Sequence, residues 1–145
     1  MTDPVASASA PFITFYSFKG GVGRSMALVN IAGILAGRGF RVLAIDFDLE
    51  APGISYLMGK DRLEHYGSFP GVVDLLLDAK NRGEEGDLFA LEPQDILERY
   101  SYHYDIPEEI QQSDEGSLRI MPAGRFDPGY AGRLDELVLQ PGLNY

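Results

Sequence analysis

Residues 19–25 read Lys19-Gly20-Gly21-Val22-Gly23-Arg24-Ser25, and the character of the chain changes across them. Before them, Phe12 to Ser17 (FITFYS) is a short β-branched and aromatic run ending at the glycines, the pattern of a buried strand that feeds a loop. After them, Leu28, Ile31, Ala32 and Leu35 fall at i, i+3, i+4 and i+7. That spacing places them on one stripe of a helix running from Ser25 to a close near Gly37 or Gly39. Phe40 to Ile45 (FRVLAI) is nearly continuous in apolar residues and stops at Asp46, as expected of a strand covered on both faces of a parallel sheet. The expected unit is strand, glycine loop, helix, strand, about 35 residues long.

A glycine loop in that position has a chemical use. Glycine tolerates positive φ, so Gly20, Gly21 and Gly23 let the backbone curl until successive N–H groups point inward at the positive end of the helix dipole. Such a nest suits an anion. The hydroxyl of Ser25, in the first helical turn, is placed to ligate Mg²⁺ on a terminal phosphate. The general phosphate-loop pattern GxxxxGK[ST] is met by Gly23 and Ser25, whereas Phe18 stands at its first glycine and Arg24 at its lysine.

Further along, Gly71 to Lys80 and Pro93 to Tyr100 read as helices separated by a polar turn over Asn81 to Gly86. Ser117 to Met121 reads as a third strand. Pro128 to Leu139 reads as a last helix, with Leu134, Leu137 and Val138 on one stripe. Alternation of strands and helices points to an α/β fold, an open sheet layered by helices, although three strands make a thin one. Tyr100, Tyr102 and Tyr104 alternate, which a single aromatic strand face explains.

Composition narrows the chemistry. The 145 residues contain no cysteine and two histidines, His65 and His103, which excludes thiolate metal sites, disulfides and imidazole clusters. The net charge of −10 lies in one place: within residues 84–115 eleven acids accompany Arg99 alone, while the flanking stretches are neutral. That run reads as a solvated acidic insertion. Residues 1–11 read as a frayed leader, leaving 12–145 as the domain. With no basic stripe, the composition disfavours nucleic acid as a partner. No apolar window is long enough to span a bilayer, so the expected location is the cytoplasm.

The run KGGVGRS resembles the deviant Walker A loop of the MinD/ParA family of P-loop ATPases, usually KGGVGK[ST]; RVLAIDFDLEAPG is similar to that family's second strand and switch I. The likeness is close over residues 12–58 and looser through SLRIMPAG. It implies a P-loop NTPase-type, mostly parallel sheet layered by helices, and an ATP-binding, Mg²⁺-dependent domain that dimerises as a nucleotide switch in a bacterial regulatory or partitioning-type system. It implies nucleotide contacts from Lys19, Gly20, Gly21, Val22, Gly23, Arg24, Ser25 and Met26, with Lys19 reaching the phosphates of a partner subunit in a homodimer. Ser25 and Asp46 fall at the metal, and Asp48 at the attacking water; Glu50 reads as a solvated or structural switch residue.

Two departures stand out. Arg24 replaces the family's phosphate lysine, and no aspartate in the chain is followed three residues later by glycine, so the Walker B and switch II half has no counterpart. The expectations are a piece of a longer ATPase, a shortened reading frame, or a minimal domain completed by another chain. A non-catalytic nucleotide-responsive module is the alternative function. The residues named read phosphates and leave the base open.

Overall fold

A computed structural model describes residues 10–57, 69–84 and 91–138. Most of the leader, His65, the end of the Asn81–Gly86 turn and part of the acidic run lie outside the described residues. In chain order the elements are α1 (Arg24–Gly37), β1 (Arg41–Ile45), α2 (Ile54–Leu57), α3 (Val72–Glu84), α4 (Pro93–Tyr100), β2 (Tyr102–Tyr104), a 3₁₀ turn (Glu108–Ile110), β3 (Ser117–Met121) and α5 (Tyr130–Val138).

The sheet is mixed, in the order β1-β3-β2. Strand β3 runs parallel to β1, pairing Arg41 with Ser117 through Ile45 with Met121, and antiparallel to β2, pairing Tyr102 with Ile120 and Tyr104 with Leu118. The alternating tyrosines thus divide between a helix end, Tyr100, and one face of a strand, Tyr102 and Tyr104. Within the acidic run, the described residues supply α4, β2 and the 3₁₀ turn.

Each sheet face has its own core. On one side Ala32 and Ala36 of α1 meet Ala44, Leu118, Ile120, Tyr102 and Ile54. On the other, Val72 and Tyr100 meet Met121, with Ile45, Leu75, Leu76 and Ile96 packed around them. Helix α5 joins that side through Tyr130 against Val73 and Leu77.

Four sequence expectations need correction. The Phe12–Ser17 run forms no strand: Phe12, at 94% exposure, and Ile13 and Tyr16 face solvent. β propensity is realised only against a partner strand, and this run has none among the described residues. Strand β1 is covered on both faces only in part: Val42 and Ala44 pack into the first core and Ile45 into the second, while Leu43 is exposed. Helix α1 buries Ala32, Gly33, Ala36 and Gly37, while Ile31 and Ile34 remain exposed. Its small face is turned inward because the backbone of the 3₁₀ turn comes so close that a Cβ at Gly37 would collide with the Ile110 carbonyl. Finally, helix α3 continues into the expected turn, as far as Glu84.

Two polar anchors fix the far face. Arg119 of β3 reaches the C-terminal end of α4, donating from Nη2 to the Leu97 and Ser101 carbonyls (2.7 and 2.8 Å) and from Nε to Ser101 Oγ (2.8 Å). A cation at this end also suits the helix dipole. The Tyr100 hydroxyl donates to Asp78 of α3. Burial first, then this bond and the Asp78 charge, push Tyr100 above its ordinary 10.0. Its contribution is therefore full below pH 10.0 and is lost as pH rises through the raised value. Tyr100→Phe should cost about 1 kcal/mol at neutral pH and flatten the alkaline decline, which denaturant titrations on either side of pH 10.0 measure.

Candidate functional site

The glycine loop sits between the end of residues 12–17 and the first turn of α1. Gly21 and Gly23 have φ of 73° and 80°, and a Cβ at Gly20, Gly21 or Gly23 would meet nothing within 4 Å. Gly21 and Gly23 are thus required by backbone conformation, not by crowding. Gly23 is the N-cap of α1, no side chain caps the helix, and its first turn contains no acid. The leading amides and the positive dipole end are consequently presented to the loop. Ser17 Oγ tightens the loop's entry, accepting from Lys19 N (3.1 Å) and donating to Lys19 O (3.2 Å). Lys19, Val22 and Met26 are exposed.

The segment after β1 comes to the same place. Asp46 is 4% exposed and both of its oxygens are occupied by backbone. Oδ2 accepts from Gly53 N (3.0 Å) and Ile54 N (2.9 Å), and Oδ1 from Asp48 N (3.2 Å). It therefore folds residues 46–54 back on themselves and caps α2. Burial raises its pKa above 3.8, against the lowering effect of these amide bonds, and the neighbouring Asp48 charge adds to the rise.

Asp48 faces differently. Its Oδ2 lies 3.2 Å from Arg24 Nη2, and its Oδ1 accepts from Ala51 N (3.3 Å). Arg24 Nη1 also donates to the Ser17 carbonyl (3.1 Å). Ser25 completes the junction: a Cβ on Gly53 would lie 2.5 Å from Ser25 Oγ, so the absence of a side chain at Gly53 makes room for that hydroxyl. Arg24, Ser25, Asp46 and Asp48 are thus assembled in one place, and Lys19 stands at the rim of the loop.

Sequence reasoning missed Gly53 and Ser17. Gly53 was legible only as part of the run LEAPG, and Ser17 only as the last residue of an apolar stretch; their contacts are with residues distant in the chain or with backbone atoms.

A family model described as the CobQ/CobB/MinD/ParA nucleotide binding domain matches residues 13–120, about three quarters of the chain. The chain belongs to this family. The CobQ/CobB/MinD/ParA match runs from the segment before the loop through β1 to the penultimate residue of β3. Among curated proteins, an iron-sulfur cluster carrier protein of Methanococcus maripaludis is 35% identical over 60 residues, 41% of this chain and 21% of that protein. One of Pyrococcus horikoshii is 39% identical over 54 residues, 37% of this chain and 18% of that protein. The aligned stretch thus spans about a fifth of the length of each relative. No solved structure matches the chain. It carries a nucleotide-binding domain of the MinD/ParA type, and among the described residues no helix is long and apolar enough to cross a membrane.

The role of Asp46 as a structural cap can be measured alone. Asp46→Ala leaves the Gly53, Ile54 and Asp48 amides without their acceptor and should lower stability by about 2 kcal/mol. Faster hydrogen exchange at Gly53 and Ile54, with β3 amides unchanged, is the expected signature; unchanged exchange at both would rule the cap out.

Proposed function

We propose that this domain binds ATP with Mg²⁺ at the loop of residues 19–26 and works as a dimerising nucleotide switch with ATPase activity. The observation that carries the reading is the uncapped start of α1, preceded by Gly21 and Gly23 at positive φ, with Arg24 and Ser25 in its first turn beside Asp48. Gly20, Gly21, Val22, Gly23 and Met26 supply the nest and its flank, holding phosphate oxygens by their amides. Arg24 adds a fixed positive charge with a planar fork that matches phosphate.

The donor set suits Mg²⁺, which keeps several waters and takes few protein ligands beside substrate phosphates. Ser25 Oγ would ligate the ion directly, while Asp46, whose oxygens already accept from three amides, would act only through the ion's water shell. When bound, the ion neutralises charge on the terminal phosphates. Asp48, partly exposed just past β1, orients the attacking water, and Lys19 reaches the phosphates of a second subunit. Catalysis of this kind rests on positioning and charge stabilisation.

The name of the two relatives raises cluster carriage as a role. Within these 145 residues there is no thiolate to hold an iron-sulfur cluster, so the residues at hand support the nucleotide step alone. A second reading, a nucleotide-responsive module without turnover, is favoured by one observation: Arg24, at the phosphate lysine's position, is already paired with Asp48. A single-turnover assay separates the two, since bound ATP that stays intact supports the module.

Saturating Mg·ATP, at about a hundred times its Kd, should stabilise the protein by about 2.7 kcal/mol and shift the amide signals of residues 20–25. An unchanged melting temperature and unchanged signals in a folded sample would overturn the reading. Lys19→Ala should abolish ATP-dependent dimerisation and turnover while leaving monomer affinity nearly intact; equal loss of affinity and dimerisation overturns its action across the interface.

A further inference from the structure

Arg24 does more in this structure than present a charge to the loop. Its guanidinium spans two segments distant in sequence, with Nη1 on the Ser17 carbonyl (3.1 Å) and Nη2 on Asp48 Oδ2 (3.2 Å). The other oxygen of Asp48 accepts from Ala51 N (3.3 Å), so the carboxylate is held at both ends. An ammonium is a compact point charge on a flexible stem and cannot reproduce a planar bridge with its nitrogens pointing in two set directions. The bridge gives a reason for arginine, rather than lysine, at this position.

We propose that Arg24 is a positioning residue for Asp48: it ties the 46–51 segment to the entrance of the glycine loop and fixes where the Asp48 carboxylate stands. This rests on the nucleotide-switch reading above and deepens it, moving the distinctive role of Arg24 from phosphate affinity to the placement of the water-orienting group. The two sides of the pair are suited to the task. Both side chains are about one third exposed, 31% and 37%, so the pair is accessible to water and to the loop's contents, while Asp46 beneath it holds the same segment by its backbone. Phosphate retains the loop amides and the open helix end whichever residue occupies position 24.

The test uses the full chain with Arg24→Lys, Asp48→Asn and the double variant. Hydrogen exchange at Ala51 needs no nucleotide: each single variant should raise it about threefold, with the double variant no faster than either single one, the non-additivity expected of partners in one contact. Gly53 and Ile54, held by Asp46, should not change and serve as the folding control. With Mg·ATP, Arg24→Lys should keep affinity within about threefold and lower kcat about tenfold or more, the signature of a lost positioning contact. Unchanged exchange at Ala51 in both single variants, or additive effects in the double variant, overturns the bridge. Lost affinity with kcat preserved overturns the positioning role in favour of direct phosphate binding. Failure of the wild-type chain to bind Mg·ATP overturns the nucleotide-switch reading and this role with it, whereas the exchange measurement then still decides whether the bridge exists.

Discussion

Three consecutive carbonyls at the end of β3 hold the molecule together. Met121 O accepts from Asp46 N (2.9 Å), Pro122 O from Val72 N (2.9 Å) and Ala123 O from Val73 N (2.8 Å). The first of these extends the parallel ladder by one residue past β1, which fixes the backbone of Asp46. The other two seat the start of α3 against the strand end. Gly71 must be glycine there, because a Cβ would collide with the Pro122 carbonyl. Asp74 closes the arrangement: it is buried, accepts from Gly71 N and Arg125 N, and forms ion pairs with Arg125 and Arg133. Because Asp74 is buried while Arg125 and Arg133 are partly exposed, removing either arginine would leave a buried carboxylate only partly compensated.

The two aspartates after β1 illustrate how environment divides the work of like groups. Asp46 is enclosed, its pKa raised by burial, and its oxygens spent on backbone amides. Asp48, two residues on, is partly exposed and paired with a guanidinium. The first builds the segment; the second is presented by it. The chain thus carries an enclosed carboxylate and an addressable one two residues apart on the segment that meets the start of α1.

Much of this was legible in the sequence. Helix α4 and strand β3 have the predicted bounds, since a proline at the helix start and a short run alternating apolar Leu118 and Ile120 with polar residues between turn residues are local signals. The loop, Asp46 and Asp48 were legible because glycine spacing and the resemblance to MinD/ParA proteins marked them. What failed was decided at a distance. The inward face of α1 was set by the close approach of the Ile110 backbone, which periodicity cannot register. The fate of Phe12–Ser17 depended on whether a neighbouring strand exists. The Arg24 bridge joins residues 24 positions apart and leaves no trace in any window of sequence.

The outer edge of β1 carries a consequence for handling the protein. Among the described residues it has no strand beside it, and Phe40, Leu43 and Phe47 along it, with Ile31 and Ile34 on the adjoining helix, are exposed. Unpaired backbone bordered by apolar side chains is a template for adhesion to any other extended chain. The net charge of −10 opposes this by mutual repulsion between copies. Colloidal behaviour will therefore depend on salt: ions that screen the repulsion leave the sticky edge to dominate, and dilute, low-salt buffers keep the molecules apart.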